Sequence, residues 1–133
     1  MANIHGKKTV VKLNGTALTA YSENSTVDIE ADEHDLTTYG KNSHVFGGGL
    51  LKSSFTVSGF YDSAASTGPR ALILPLVGTN VTFVHQPEGT GVGLPQDSVT
   101  VLVKKYSQTH PVADYVKWSV DLTGSDDVNS TPQ

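Results

Sequence analysis

Short stretches of alternating hydrophobic and polar residues recur along the chain, with the two-residue period of β-strands. The longest covers residues 51–61, where Phe55 and Val57 share one face and the other face is polar. A second clean example is residues 114–123, in which Trp118 falls on the hydrophobic face and is interpreted as a core residue. The predicted strands are residues 9–13, 17–21, 25–30, 51–61, 79–85, 98–106 and 114–123.

Two connections between these strands carry clear local signals. Asn14 and Gly15 separate the first two strands, and because both residue types tolerate positive φ they predict a tight hairpin. Residues 69–76 begin with a proline, which suits the first turn of a helix, and predict a short helix. Ser66 and Thr67 offer capping oxygens just before it.

Together these elements predict an all-β fold, a β-sandwich or barrel-like domain of about seven strands with one short α-helix and a long protruding loop. At 133 residues, the chain has room for one domain, which we expect to span residues 1–124. Residues 125–133 are polar and are predicted to be a disordered tail.

The long loop covers residues 31–49 and shows little periodicity. It follows a strand in which Val27 and Ile29 are predicted to point inward. Loops of this length in a compact domain are usually functional or disordered, or prove to be a protruding hairpin. Phe46 lies beside three glycines, at 47–49, and either folds back over its own sheet or anchors a neighbouring subunit.

Composition narrows the possible functions. There is no cysteine, which excludes disulfides, thiolate metal sites and cysteine nucleophiles. The net charge is −4, and the acidic run at 30–35 outweighs the basic cluster of Lys7, Lys8 and Lys12, so tight binding of nucleic acid is not expected. The N-terminus lacks the apolar run of a signal peptide, and no segment approaches membrane-spanning length.

A search for catalytic or metal chemistry gives little. The acidic run lacks the spacing of a calcium loop, and residues 86–95 are glycine-rich but lack the Lys-Ser/Thr pair of a phosphate-binding loop. There is no Gly-x-Ser-x-Gly elbow. The histidines are scattered without the spacing of a zinc site: His5, His34, His44, His85 and His110. We therefore predict no enzymatic activity, no metal and no cofactor.

Two segments carry a family resemblance. The first is Asp35-Leu-Thr-Thr-Tyr-Gly40, and the second runs from Gly49-Leu-Leu-Lys through an alternating strand to Gly59-Phe-Tyr-Asp62. Together they resemble the major tail tube proteins of long, flexible-tailed bacteriophages, in which an Asp-x-Thr-Thr-x-Gly segment precedes a Gly-Leu and an alternating strand. The three glycines at 47–49 depart from the Pro-Gly usual in that family.

The resemblance implies a structural virion protein, assembled in the host cytoplasm, that forms stacked hexameric rings. These rings make a hollow tail tube through which DNA passes at ejection without specific binding. It also implies contacts with other tail proteins, such as the tape-measure and tail terminator proteins, and none with membranes. The residues it assigns to subunit contacts are Asp32, Glu33, Asp35, Thr37, Thr38, Tyr39, Phe46, Gly47, Gly48 and Gly49.

Two other classes of protein share this composition. A capsid decoration protein, or another accessory virion protein, would be equally rich in β-strands and free of cysteine, but would bind a preformed lattice. A carbohydrate-binding β-sandwich would need exposed aromatic side chains. Both remain alternatives at the level of sequence.

Overall fold

The protein folds around one antiparallel sheet. The computed structural model describes Asn3, residues 5–61 and residues 68–133. The strands are β1 Val10–Leu13, β2 Thr16–Ala17, β3 Ser22–Asp35, β4 Phe46–Phe60, β5 Asn80–Gln86, β6 Asp97–Thr109 and β7 Lys117–Gly124. They are ordered β2-β1-β5-β6-β7-β4-β3 in the sheet. The all-β prediction with about seven strands is confirmed.

The sheet curls so strongly that distant strands meet. Phe55 on β4 and Phe83 on β5 lie with ring centroids 4.9 Å apart, although β6 and β7 separate their strands in the sheet. A flat sheet would keep these side chains well over 10 Å apart, because neighbouring strands are spaced by about 4.8 Å. The core therefore fills the inside of a barrel-like curl, and it includes Val11, Leu18, Phe55, Ile73, Phe83, Val101, Trp118 and Leu122.

Trp118 is the largest side chain in this core. It is buried on β7, as its place in the alternating pattern predicts, and its indole Nε1 donates to the carbonyl oxygen of Phe60 at 3.1 Å. A buried indole N–H needs such a partner, because an unpaired polar group in an apolar core is costly. The bond fixes the end of β4 against β7.

The predicted short helix is confirmed. Helix α1 covers Pro69–Ile73 and continues as a 3₁₀ turn over Leu74–Leu76. Ile73 is buried, so the helix packs on the core, and Gly78 follows at φ +86°, where the left-handed backbone ends it. The proposed capping residues Ser66 and Thr67 lie outside the described residues.

The first hairpin has the predicted turn but a shorter second strand. Asn14 and Gly15 adopt φ values of +52° and +78°, as the turn requires. The prediction of a strand over 17–21 is wrong beyond Ala17, because a 3₁₀ turn spans Thr19–Tyr21. The Thr19 hydroxyl caps the neighbouring strand instead, accepting from the backbone N–H of Val11 at 3.2 Å.

The C-terminal residues 125–133, predicted to be a polar tail, run beside the connection between β5 and β6. Asn129 bridges to Ser98, with backbone hydrogen bonds of 2.8 Å in both directions. Gln133 donates its N–H to the Leu94 carbonyl oxygen at 2.9 Å and accepts from the Gly93 N–H at 2.8 Å. The tail therefore forms hydrogen bonds with backbone groups of the connection between β5 and β6 and of the first residues of β6.

Candidate assembly surfaces

The region predicted to be a long loop is mostly a β-hairpin. Strands β3 and β4 pair from Ser22 opposite Gly59 to Asp35 opposite Phe46. Only residues 36–45 form the connection between the two strands. The prediction of a loop over 31–49 is therefore wrong in its secondary structure, and the protruding hairpin is the alternative that the structure adopts.

The outer half of this hairpin extends past the hydrophobic core. Val27 still packs against the core, but Ile29, predicted to point inward, is about half exposed. Farther out on β4, Leu50 and Leu51 are both exposed. No alternation marks these residues, because both faces of the outer hairpin meet solvent, and that is why the sequence pattern indicated a loop.

The glycines of the outer hairpin make room for side chains from β3 and from Leu36, the residue that follows it. A Cβ at Gly47 would lie 2.6 Å from Cδ1 of Leu36, and one at Gly49 would lie 2.6 Å from Nε2 of His34. Gly48, between them, has nothing within 4 Å of a Cβ. Two of the three glycines thus allow side chains to lie across the strand, which the sequence did not reveal.

The tip of the hairpin is built around Asp35. Its Oδ1 accepts from the backbone N–H of Thr37 at 3.0 Å and from the Thr37 hydroxyl at 2.6 Å. The same hydroxyl oxygen accepts from the N–H of Val45 at 2.8 Å. The hydrogen bonds from Thr37 lower the pKa of Asp35, with a smaller contribution from His44, whose Nδ1 lies 3.5 Å from Oδ2. These bonds tie both ends of the connection together.

The tip presents hydrophobic side chains to solvent. We call Leu36, Tyr39, Val45 and Phe46 the tip surface, and all four are exposed, Tyr39 completely. Phe46 is 55% exposed and lies beside His44, with ring centroids 5.9 Å apart. It does not fold back over the core. Exposed clusters of this kind mark sites of association.

All the residues that the sequence assigned to subunit contacts lie in this one hairpin. Glu33 and Asp35 pair with Gly48 and Phe46 across the ladder, and Asp32 sits at the register shift between Ala31 and Glu33. Thr37, Thr38 and Tyr39 belong to the connection. The hairpin therefore gathers them onto one protruding element.

A second surface is a polar face that crosses three paired strands. It consists of hydroxyl, amide and carboxylate side chains, with almost no aliphatic ones. The aligned sets from β3, β4 and β7 are Asn24, Ser58 and Ser119; Thr26, Thr56 and Asp121; Asp28, Ser54 and Thr123. We call these nine residues the polar face. The alternation of single strands predicts polar outward positions on each of them, but not that these positions align across three paired strands.

The sheet ends in strands of very different length. At one end lies β2, of two residues, and at the other lies β3, of fourteen. The outer edge of β3 offers backbone N–H and C=O groups along nearly its whole length. Such an edge favours pairing with another strand.

His85 connects this edge strand to the body. It is buried on β5, and its Nε2 lies 3.0 Å from the Ser25 hydroxyl on β3. Desolvation lowers the pKa of His85, and the nearby Asp97 opposes this shift. Within the described ranges, no three His, Asp or Glu side chains come together as a metal site.

The glycine-rich segment 86–95 is occupied by the chain's own end. The N–H of Gly91 donates to Oε1 of Gln133 at 3.2 Å, and Nε2 of Gln133 donates to the Gly89 carbonyl oxygen at 2.8 Å. The Gly91 N–H, a donor of the kind that a phosphate-binding loop uses, is therefore already paired within the chain. Separately, none of the helices in the described part of the chain has the length and hydropathy to cross a membrane.

Comparison with known proteins finds similarity in structure alone. No protein-family model and no curated protein sequence matches this chain. Among solved structures, a chain of the virion of a native gene transfer agent particle matches with a TM-score of 0.77 and 14% identity, covering 97% of this chain and 99% of that one. A chain of the SPP1 tail tube matches with a TM-score of 0.79 and 13% identity, covering 98% and 80%.

A contractile injection system gives a third match. A chain of the sheath-tube complex of an extracellular contractile injection system has a TM-score of 0.72 and 11% identity, covering 98% of this chain and 93% of that one. Nearly the whole of this chain is superimposed in all three matches, so the likeness covers the complete domain. The protein has the fold of tail tube proteins.

Proposed function

We propose that the chain is a tail tube subunit, a structural virion protein that assembles into stacked hexameric rings. The observation that carries this proposal is the combination of that fold with a fourteen-residue sheet edge and a protruding hairpin. A similar chain comes from a gene transfer agent tail refined with C6 symmetry, with a TM-score of 0.78. Six copies closing a ring would remove the exposed edges that one copy carries.

The polar face is the candidate lining of the tube. Its side chains are short and hydroxylic, and its charged members include Asp28 and Asp121. DNA can slide through a tube only if the tube wall binds it weakly. Basic side chains in the wall would bind the DNA tightly, because they release counterions from its phosphates. Carboxylates and hydroxyls keep the surface hydrated and have no such affinity for phosphate, so this face suits a conduit for DNA during ejection.

The hairpin is the candidate contact between subunits. Its assigned residues are those from Asp32 to Tyr39 named above, with Phe46 and the glycines at 47–49. The exposed aromatic side chains Tyr39 and Phe46 are the residue types that carry most energy in protein interfaces. In this role the protein is not an enzyme. It resides in the virion tail, with tape-measure and terminator proteins as further partners.

Electron microscopy tests the proposal directly. The purified full chain is examined by negative stain over a range of protein and salt concentrations, and we expect sixfold rings or tubes. A variant lacking residues 36–45, with a short glycine linker in their place, is the control and should form no tubes. Emission of the buried Trp118 reports whether that variant is folded.

One outcome would contradict the proposal, and another would contradict only the role given to the hairpin tip. A wild-type protein that stays monomeric or trimeric under all conditions, measured by light scattering, would instead favour an accessory protein that binds a preformed lattice. Tubes that form equally well without residues 36–45 would show that the hairpin tip is not needed for assembly. The proposed tube function would still stand.

A further inference from the structure

The molecule carries a second exposed hydrophobic surface at the end opposite the hairpin tip. Phe60 ends β4, and with Tyr61, Tyr115 and Val116 it lines an open apolar groove. Phe60 and Tyr115 are exposed, and so is Val112 in the same connection between β6 and β7. We call these five residues the base patch. No sequence pattern predicts this surface, because its residues come from two separate segments of the chain.

We propose that the base patch is the receptor for the hairpin tip of another copy of this chain. The proposal rests on the proposed function, since it names the contact by which successive subunits would stack. Three properties support it: the positions of the two surfaces, the rigidity of the base patch, and the charges beside the two surfaces.

The two surfaces lie at opposite ends of one strand. The tip surface includes Phe46, the first residue of β4, and the base patch includes Phe60, its last. A strand rises by about 3.3 Å per residue, so the two ends are separated by roughly 45 Å. A contact between unlike surfaces at opposite ends does not close on itself between two copies, and it repeats in one direction. That is the geometry of stacking.

The base patch is already formed before any partner arrives. The N–H of Tyr61 donates to the carbonyl oxygen of Val116 at 2.9 Å, and Nε1 of Trp118 donates to that of Phe60 at 3.1 Å. Nζ of Lys117 lies 5.4 Å from the centre of the Phe60 ring. A surface held in this way loses little conformational entropy when it binds.

The two ends carry opposite charge. Residues 30–52, the outer hairpin, contain four carboxylates and two lysines. Beside the base patch, Lys117 lies over the Phe60 ring, and Asp114 is the one carboxylate of the connection between β6 and β7. Arg70 adds a further positive charge on this side, where its Nη1 donates to Oε1 of Gln108 at 2.6 Å. Complementary charge of this kind orients two surfaces and fixes which of them meet.

Another apolar groove competes less well for the tip. It lies between Ile29, Leu51 and Val128, and its charged lining residues are two carboxylates and one lysine: Asp126, Asp127 and Lys52. Those carboxylates would face the acidic outer hairpin of the incoming copy, and like charges across an interface are unfavourable. This groove also lies on the hairpin's own root, so it offers no opposite end for stacking.

The absence of cysteine allows a direct cross-linking test. Tyr39→Cys and Tyr115→Cys are prepared separately in the full chain, one with a small tag that separates them by size. They are mixed under assembly conditions and treated with a short thiol-to-thiol cross-linker. We expect the mixed pair to form about tenfold faster than either self-pair, because docking raises the local concentration of the two thiols.

The matched control is Val92→Cys, mixed with Tyr39→Cys. Val92 is also a fully exposed hydrophobic residue in a connection, but it lies outside the base patch. A second pair, Lys41→Cys with Ala113→Cys, keeps the aromatic side chains of both surfaces and should give the same mixed product. This second pair shows whether removing the Tyr39 and Tyr115 rings in the first pair itself prevents docking.

The outcomes separate the two proposals. Tubes seen by electron microscopy, with mixed cross-links no faster than those of the Val92→Cys control for both pairs, overturn the docking of tip on base patch and leave the tube function standing. Absence of both tubes and mixed cross-links overturns both. Preferential mixed cross-links in tubes support both.

Discussion

Gly59 shows how a single missing side chain positions the hairpin. A Cβ at this position would lie 1.8 Å from the backbone oxygen of Tyr21 and 2.9 Å from Cα of Ser22, so the start of β3 crosses β4 in direct backbone contact. We expect Gly59→Ala to destabilise the protein by about 1–3 kcal/mol or more, since neither backbone can yield easily. The midpoint of urea unfolding, followed by emission of Trp118, measures this.

Gly48→Ala is the control on the same strand. Nothing lies within 4 Å of a Cβ at Gly48, so the change should alter the unfolding midpoint little. Equal losses at Gly48 and Gly59 would mean that strand flexibility, and not the close contact with Tyr21, explains the glycine.

His85 predicts how stability depends on pH. Burial lowers its pKa in the folded protein below the ordinary value of 6.5, so the unfolded chain takes up this proton first as pH falls. The free energy of unfolding should therefore be unaffected above about pH 7.5 and should decrease as the pH falls below about 6.5. Ser25 on β3 and Asp97 on β6 face the ring, and only Asp97 is charged.

Replacement of His85 separates this effect from general acid denaturation. His85→Gln keeps a polar group toward Ser25 but cannot be protonated, and it should flatten the fall between pH 7 and 5. His110→Gln, at an exposed position, should leave the profile unchanged. Urea unfolding at a series of pH values gives both profiles, and a His85→Gln profile parallel to wild type would contradict the assignment.

At the scale of the element, the β3–β4 hairpin has two parts of different stability. Val27 and Phe55 pair across its inner part and pack in or against the core, whereas the side chains beyond Ile29 are exposed. Backbone hydrogen bonds without buried side chains around them open more readily. In the unassembled protein, amides of residues 30–35 should exchange with solvent earlier than those of residues 118–122 in β7.

Hydrogen exchange followed by mass spectrometry measures this difference. Assembly supplies a control within the same molecule, because contact with another copy should slow exchange in the outer hairpin and leave the core of β7 as it was. Equal protection of both segments before assembly would show that the outer hairpin is stabilised without a partner.

The same contrast explains what the sequence predicted. Residues 117–122 alternate because one face of β7 meets the core, and both the strand and the burial of Trp118 followed from that pattern. The outer hairpin has no buried face, so its residues do not alternate between hydrophobic and polar, and the sequence does not predict its strands. Asp35 and Phe46 were assigned to one loop through a family resemblance, but their pairing across a ladder depends on backbone bonds that no side-chain pattern records.

Residues far apart in sequence set the other limit on prediction. Phe60 and Tyr115 form the base patch only because β4 pairs with β7, and the polar face depends on the same pairing together with that of β3. Strand order in a sheet is decided by the packing of the whole core. The alternation of single strands therefore predicted the fold class well and the surfaces poorly.

At the scale of the whole molecule, the polar face predicts how an assembled tube treats DNA. In the proposed tube, where Asp28 and Asp121 belong to the lining, a short DNA duplex should bind wild-type tubes weakly and without strong dependence on salt. Replacing both by lysine adds twelve lysines to each ring of six and removes twelve carboxylates, since each copy contributes two of each. Binding by Asp28→Lys/Asp121→Lys tubes should then be tight at low salt and fall steeply as salt rises. Fluorescence anisotropy of a labelled duplex measures this binding, and nuclease protection reports whether the duplex is inside the tube.

Asp126→Lys/Asp127→Lys makes the same change of charge outside the polar face, so DNA that this control variant binds should remain open to nuclease. Protection of the duplex by this control and not by the Asp28/Asp121 variant would place the polar face on the outside of the tube.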